Sequence, residues 1–424
     1  MAEYKKKKVK KAPLSHTERP SNPEKIEMKE SRPKRKNIRI VPTAPQSFKV
    51  HKVKKNRIRI FALLLTAVII VVASVYFVTL AFHPIGVIEF VSSAYTRIGS
   101  GSGYDVTLGG EEIFDIKTVE DHYYALTKTN ISCYNNNGKL ISNIVHGFTS
   151  PVLKVSETRS LVYGQGEKAL RVYNYNKEVI NMTFDNSILC ADIANNGNFA
   201  VATYADSYDS MVKVLNKKGE SVYEWYCADG TVSSVSLTSD GKQLIVSTFT
   251  VNNGVISSKL HLLNFRSADA VRTFDFSGEL PYGIYKVSKN RVYVLFDSNI
   301  KYIDLKSGAV ISTSTDYSYK LVKQNGSRLL LLSSLSANSE KSTVTIHNKK
   351  GETATQFSIN MPVDDICFTN EYVYILSNST VFKTDKNGNI LSSAEVTFDV
   401  KRIQSVLNKF VVTFSSSAIS KVQL

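Results

Sequence analysis

Residues that could perform chemistry are present in this chain, but their spacing forms no familiar catalytic motif. Four histidines follow residue 100: His122, His146, His261 and His347. They are scattered singly, without the HxH or HExxH spacing that begins a metal site. The serines lack a GxSxG turn, which exposes the nucleophile of a hydrolase. We therefore expect these histidines and serines to have structural roles.

Two pairs of acidic residues are the remaining candidates for chemistry. Asp206 and Asp209, in YADSYDSM, could bind a cation, but the loop lacks the DxDxDG order of a calcium site. Asp364 and Asp365 are adjacent, so on a strand their side chains point to opposite faces and cannot act as an acid pair. The sequence thus predicts no catalytic residue, no cofactor and no metal ion, and a protein that is not an enzyme.

The cysteines also argue against a redox or zinc site. Cys133, Cys190, Cys227 and Cys367 lie far apart, with no CxxC spacing. Small buried thiols pack as apolar groups, so free buried cysteines are favoured. One disulfide is the alternative.

An uncharged segment from Ile60 to Phe82 divides the chain. As a helix it would be about 34 Å long, enough to cross a hydrocarbon core of about 30 Å. Its N-terminal flank is basic: Lys52, Lys54, Lys55, Arg57 and Arg59. Because the first basic residue after it is Arg97, the positive-inside rule places the N-terminus in the cytoplasm. A cleaved signal peptide is the alternative, but HPIGVIEF, which follows, offers no A-x-A site.

Charge is distributed unevenly on the two sides of this segment. Residues 1–59 hold 20 Lys and Arg against 5 Asp and Glu, whereas the rest of the chain holds 33 against 32. The tail is poor in apolar residues, so we expect it to be disordered. The nearly neutral remainder lacks the basic excess of a nucleic-acid-binding domain, so no specific nucleic acid is expected as a partner.

A short linking region follows the apolar segment. Between Gly86 and Ile98, apolar residues recur every three or four positions, which predicts an amphipathic helix. We expect it to pack under the next domain; the outer membrane surface and a second copy are the alternatives. The GSGSG sequence at 99–103 predicts a hinge. The predicted domains are thus a tail (1–59), a membrane helix (60–82), a stalk with a hinge (83–103) and a C-terminal domain (104–424).

The C-terminal domain is built from repeated hairpins. Segments such as VLNKKGESVYEWY and IHNKKGETATQFSI read as strand, glycine turn and strand, and a second pair precedes each, with one almost wholly apolar strand. The units begin near Ile113, Val152, Ile188, Val232, Tyr282, Tyr319, Val363 and Val400. Units of about 39 residues with four strands predict an all-β, eight-bladed β-propeller, with seven blades as the alternative. The last unit has only three strands, so we expect YDVTL at 104–108 to supply the fourth.

Several motifs also resemble a known family. A basic tail and one span are followed, in this order, by GSGSGYDV, HGFTSP, YGQGEKALRVYN and VYEWY. In these features the chain resembles the membrane-anchored propellers grouped as domain of unknown function 5711. The resemblance implies location and fold but no activity. More distantly, the hairpins are similar to pyrroloquinoline-quinone-type and WD-like repeats.

Three units carry insertions between their second and third strands, at 204–211, 249–258 and 334–342. Insertions at equivalent positions lie on one rim of a repeat fold, where such folds tend to bind. The candidate partner-binding residues are Tyr204, Asp206, Tyr208, Asp209, Asn252, Asn253, Asn338 and Glu340.

The predicted function is that of a single-pass, membrane-anchored, extracytoplasmic scaffold at the cell envelope. Its expected partners are the lipid bilayer and either an envelope protein or a cell-wall polymer. The alternative is an envelope hydrolase or lyase with its site at the channel mouth. Abundant Lys, Asn, Ile, Ser and Tyr indicate an AT-rich genome and point to a Gram-positive bacterium.

Overall fold

The computed structural model describes residues 53–81, 85–99, 101, 103–113, 115–119, 122–175, 177–228, 230–297, 299–314, 318–334, 336 and 339–424. Three residues named above, Lys52, Phe82 and Asn338, lie outside this set. The chain separates into two compact units, Met1–Thr66 and Ala67–Leu424, and all the β-structure belongs to the second.

Helix α1 (Val53–Ala81) contains the apolar segment. Its stretch Arg59–Val78 is long and apolar enough to cross a membrane, and its side chains are exposed. Lys54, Lys55 and Arg57 fall in the first turns of this helix. The helix thus agrees with the predicted span as far as Ala81.

Helix α2 (Val87–Arg97) follows, as the apolar spacing predicts. It packs on the β-domain, which was the favoured expectation. The contact, however, is largely polar, because Glu89 and Ser93 face the domain while Val91, Tyr95 and Ile98 of the predicted apolar face are exposed. The other three apolar residues of that spacing, Val87, Phe90 and Ala94, are half-buried, so the predicted apolar face is only partly covered.

The β-domain contains 32 strands in the described residues, beginning with β1 (Val106–Thr107). Blade 1 contains β2 (Asp115–Val119), β3 (His122–Leu126), β4 (Asn130–Asn135) and β5 (Leu140–Val145). Blade 2 contains β6 (Pro151–Val155), β7 (Ser160–Gly164), β8 (Ala169–Asn174) and β9 (Lys177–Thr183). Blade 3 contains β10 (Ile188–Ile193), β11 (Phe199–Thr203), β12 (Ser210–Leu215) and β13 (Ser221–Cys227). Blade 4 contains β14 (Thr231–Leu237), β15 (Gln243–Asn252), β16 (Val255–Asn264) and β17 (Arg272–Ser277).

The second half of the ring has the same plan. Blade 5 contains β18 (Gly283–Ser288), β19 (Arg291–Leu295), β20 (Asn299–Asp304) and β21 (Val310–Ser314). Blade 6 contains β22 (Ser318–Asn325), β23 (Arg328–Ser334), β24 (Lys341–His347) and β25 (Thr353–Asn360). Blade 7 contains β26 (Asp365–Phe368), β27 (Val373–Ser377), β28 (Thr380–Thr384) and β29 (Ile390–Glu395). Blade 8 contains β30 (Arg402–Val406), β31 (Phe410–Phe414) and β32 (Ala418–Val422), completed by β1.

The eight four-stranded antiparallel sheets confirm the eight-bladed propeller and exclude seven blades. Second strands are apolar because they lie between two neighbouring blades: every residue of β3, β7, β11 and β27 is buried. The closing strand is also confirmed, since Val106 pairs with Ile419 and Thr107 with Ala418. A segment from the N-terminal side therefore completes the last blade and removes an exposed sheet edge.

Two carboxylates join neighbouring blades around the channel. Asp192 of β10 accepts the backbone N–H of Leu237 in β14 at 2.9 Å, and its carboxylate lies 3.1 Å from Lys286 Nζ in β18. Each of these three residues belongs to a different, consecutive blade. The single carboxylate thus links blades 3, 4 and 5.

Asp365 repeats this arrangement in blades 6, 7 and 8. It is fully buried, accepts the backbone N–H of Ile403 at 2.9 Å and lies 2.8 Å from Lys323 Nζ. Asp364 points elsewhere and accepts the backbone N–H of Asn378. The two adjacent acids therefore do not form a pair, as the sequence predicted.

Removing Asp365 should weaken the ring far more than removing its neighbour. Asp365→Ala leaves the Lys323 ammonium and the Ile403 N–H without their acceptor, so we expect a loss of about 3 kcal/mol in the free energy of unfolding. The exposed neighbour offers a matched control, Asp364→Ala, which should lose less than about 1 kcal/mol. Urea unfolding of the two variants measures both values, and equal losses would contradict the bridging role of Asp365.

Candidate binding faces

The strand order defines two faces of the propeller. Because the four strands of each blade are antiparallel, the turns from first to second and from third to fourth strand lie at one end. The second-to-third loops and the connections between blades lie at the other. We call the first the helix face, because α2 packs there, and the second the insertion face, because all three insertions fall there.

Helix α2 is fixed to the helix face by a buried ion pair. Arg159, which is 4% exposed, binds both carboxylate oxygens of Glu89, with Nε–Oε1 at 2.6 Å and Nη2–Oε2 at 2.9 Å. Its Nη1 also donates to the carbonyl of Lys217 in the next blade. The Asn174 amide donates to Glu89 Oε1 as well. The helix is therefore held on blades 2 and 3.

The segments on both sides of α2 contact the same face. Lys217 Nζ donates to the Ile85 carbonyl at 2.7 Å. Gly197 beside it has a φ of 83°, and a Cβ there would lie 2.6 Å from Ile85 Cδ1 and 2.8 Å from Lys217 Cβ, so glycine is favoured at this position. On the other side, a Cβ on Gly101 would lie 2.4 Å from the Lys139 nitrogen in blade 1. The glycine segment thus packs closely where it is described; the hinge itself stays a prediction.

The structure brings the blade 3 candidates together at one end of a cleft of about 510 Å³, which runs from the insertion along β12 to Gly219 in the β12–β13 turn. The cleft is lined by Tyr204, Asp206 and Tyr208 from the insertion, and by Tyr226 from β13. The Tyr208 and Tyr226 rings lie 5.1 Å apart, and the Asn186 amide donates to Asp206 Oδ1. The backbone N–H of Asp209 donates to the Cys227 carbonyl, which closes the loop.

The blade 4 candidates form the tip of the longest hairpin. Asn253 and Gly254 both have positive φ, 52° and 79°, and Asn252 pairs with Val255, which is the geometry of a tight Asn-Gly turn. In blade 6, Glu340 is exposed just before β24, while Asn338 lies outside the described residues. Within the described part of the chain, no hydrogen bond, ion pair or ring contact joins the three insertions. Of the candidate partner-binding residues that the structure describes, only those of blade 3 lie together at one cleft.

Other exposed rings on the insertion face were not predicted. The Tyr226 hydroxyl donates to Glu224, and this hydrogen bond raises the pKa of Tyr226. Two further rings lie between blades: Phe398, between blades 7 and 8, is 85% exposed, and Tyr282, between blades 4 and 5, is 48% exposed. Phe398 and Tyr282 lie in connections between blades, not in the alternating strands. Their position outside the predicted strands could have identified them as exposed from the sequence.

The two faces carry opposite charge. Carboxylates dominate the loops of the insertion face: Glu111, Glu112, Glu167, Asp185, Asp206, Asp209, Glu279, Asp297, Glu340, Asp364 and Asp399, against Lys128, Lys168 and Lys401. Among the described residues, basic side chains outnumber acidic ones in the turns of the helix face: Lys139, Arg159, Lys217, Lys218, Lys242, Arg266, Lys289, Lys306, Lys349, Lys350, Lys386 and Lys409, against Glu157, Glu220, Asp240, Asp269, Glu352, Glu371 and Asp385. The turn between β2 and β3 adds Glu120 and Asp121 in sequence, both outside the described residues. The nearly neutral domain thus combines a strongly acidic insertion face with a helix face that has a smaller basic excess.

The central channel holds a cavity of about 590 Å³ lined by first strands of several blades. Its carboxylates have partners: Asp115 lies 3.0 Å from Lys117 Nζ, and Asp365 is bound as described above. Arg402 and Gln404 line the same cavity. In the part of the chain that the structure describes, no three His, Cys, Asp or Glu side chains are placed to hold a metal ion.

The histidines and cysteines have structural positions. His146 is buried, with Nδ1 accepting the Phe148 N–H and Nε2 near the Thr127 carbonyl, and burial lowers its pKa. Burial lowers the pKa of His347 to about 4. All four cysteines are free; Cys133, Cys227 and Cys367 are buried, as predicted, whereas Cys190 is half-buried.

A model of the family described as "Family of unknown function (DUF5711)" matches residues 93–424. No curated protein matches the chain. Among solved structures, BamB from Moraxella catarrhalis is 12% identical, with a TM-score of 0.49, covering 75% of this chain and 100% of that one.

Two further solved structures are similar. Dihydro-heme d1 dehydrogenase NirN in complex with DHE is 13% identical, with a TM-score of 0.50 and coverage of 68% and 66% of the two chains. The C-terminal WD40 domain of Sif2 is 9% identical, with a TM-score of 0.51 and coverage of 75% and 97%. At such identities these similarities concern the fold alone.

Proposed function

The chain belongs to the DUF5711 family of unknown function, and we propose that it is a single-pass, membrane-anchored β-propeller that binds a basic envelope protein through its insertion face. The propeller lies outside the cytoplasm and acts as a non-catalytic scaffold. The observation that carries this proposal is the excess of carboxylates on the insertion face, next to exposed aromatic rings.

The anchor is supported by the apolar stretch Arg59–Val78 within α1. Basic residues precede this stretch, and none follows it before Arg97, so the positive-inside rule orients the N-terminus towards the cytoplasm. The tail (1–59) then provides the topology signal, and the propeller (104–424) is exported.

The partner's chemistry follows from charge and ring exposure. Complementary charge steers association and selects partners, so an acidic face favours a basic protein over an anionic polymer. Exposed aromatic rings are enriched where interfaces bury their central contacts. Tyr204, Tyr208 and Tyr226 in the blade 3 cleft, and Phe398 farther along the ring, supply such rings.

A binding role is preferred to catalysis because the channel carboxylates are already engaged. Asp192 and Asp365 each accept a backbone N–H from the next blade and bind a lysine. A carboxylate held in this way links the blades and has few lone pairs left for a substrate.

Topology can be tested with cysteine variants in intact cells. Asn253→Cys, at the tip of the blade 4 hairpin, should react with a membrane-impermeant maleimide before cells are opened. Ser21→Cys, in the tail, should react only after permeabilisation. Labelling in the reverse order, or equal labelling of both positions, would contradict the proposed topology.

The basic partner can be tested by photo-crosslinking. A crosslinker at Tyr208 or Phe398 should form an adduct with a basic envelope protein, and 0.5 M NaCl should reduce the yield at least about fivefold by screening. Crosslinkers at Lys306 and Lys386, on the helix face, serve as position controls and should not form this adduct.

Substitutions that remove acidic charge from each face can be compared by their effect on the crosslinked adduct. The pair Asp206→Asn and Asp209→Asn should weaken the adduct from Phe398, whereas Glu220→Gln and Glu352→Gln, on the helix face, should leave it unchanged. An adduct that forms equally from both faces, or that ignores salt and these substitutions, would refute the proposal.

A further inference from the structure

Helix α2 presents an unusual outer surface. Its side towards the propeller carries Glu89 and Ser93 together with the half-buried Phe90, whereas its outer side carries an apolar stripe defined by Ile88, Val91, Tyr95 and the C-cap residue Ile98. These residues are 87%, 47%, 80% and 68% exposed. Spacings of three and four residues align them along one side of the helix. The side towards the propeller is therefore occupied, and the apolar stripe is left uncovered.

Chain connectivity keeps this stripe close to the proposed membrane span. Helix α1 ends at Ala81, and Ile85 is already fixed on the helix face by Lys217 and by burial of its side chain. The four residue steps between Ala81 and Ile85 extend at most about 14 Å. If α1 spans the membrane, the stripe cannot lie far from the bilayer surface.

Charge around the stripe favours an anionic surface. Lys218 is exposed in the blade 3 turn that contacts this segment, and Lys306, Lys350 and Lys386 are exposed on the same face in blades 5 to 7. Basic residues beside an apolar helical stripe are the combination found in helices that lie in a membrane interface. Each lysine near an anionic bilayer adds to the attraction.

We infer that the apolar stripe of α2 inserts into the outer surface of an anionic bilayer and holds the helix face against it. This inference rests on the proposed membrane anchor and deepens it. The propeller is then not a ring on a free tether: its helix face is turned to the lipid and its acidic insertion face is turned away, towards the partner.

A second copy of the chain is the less favourable occupant of the stripe. Pairing two α2 stripes would bring two basic helix faces together, and like charges repel across an interface. The stripe is also only one short helix long, so it offers a small area for a stable dimer. A lipid surface removes both difficulties, because it supplies opposite charge and a continuous apolar layer.

The test uses the full chain reconstituted into liposomes of phosphatidylglycerol and phosphatidylcholine. A fluorophore is attached at Ile88→Cys, on the stripe, or at Asn253→Cys, on the insertion face, as the matched control. Three native cysteines are buried, and desolvation raises the pKa of the half-buried Cys190 thiol to about 12, so all four should label slowly. Quenching by doxyl-labelled lipids and by aqueous iodide is then compared, and carbonate extraction tests the anchor separately.

We expect doxyl lipids to quench the label at position 88 at least about threefold more than the label at position 253, with iodide showing the opposite order. The difference should shrink in liposomes of phosphatidylcholine alone. Equal iodide access at both positions in a carbonate-resistant protein would overturn the inference and leave the anchor intact.

Two other results are also decisive. A label at position 88 that is shielded from both quenchers would indicate a second copy and would overturn the lipid contact. Extraction of the protein by carbonate would instead refute the proposed anchor itself.

Discussion

The ion pair between Glu89 and the buried Arg159 fixes where helix α2 lies on the propeller. Arg159 is almost fully buried, binds both oxygens of Glu89 and reaches the Lys217 carbonyl. A buried charge that loses its partner is strongly unfavourable, so the pair holds α2 in one place even if it adds little net stability. This contact therefore determines which turns of the propeller α2 covers.

Ring closure and helix docking use neighbouring parts of one short segment. Residues 85–99 contact turns of blades 1 to 3, and β1 at Val106–Thr107 completes blade 8. The segment between α1 and blade 1 therefore both docks α2 on the ring and closes the ring. This arrangement also relates α2 to the distribution of charge: the basic turns share a face with α2, and the acidic loops lie on the opposite face.

The repeating features of the fold could be predicted from sequence, and the long-range polar contacts could not. Eight blades follow from a pattern that recurs every 39 or so residues, and the missing fourth strand of blade 8 pointed to YDVTL. Nothing local links Glu89 to Arg159 or Asp365 to the Ile403 amide, because each partner lies in another blade or helix. The apolar spacing of α2 therefore predicted the helix but not which of its sides packs.

The candidate site was predictable to a similar extent. Insertions after second strands must share one end of the ring, so the sequence could indicate that Tyr204 and Asp206 lie at that end. The contribution of Tyr226 depends on how β13 lies beside that loop. The most direct test of the account is the distance between spin labels at Ser92→Cys on α2 and Lys218→Cys in blade 3, measured on the full chain in lipid nanodiscs. A rigidly docked helix predicts one narrow distance distribution that broadens when Arg159→Gln is added. A distribution that is already broad in the otherwise unchanged protein would contradict it.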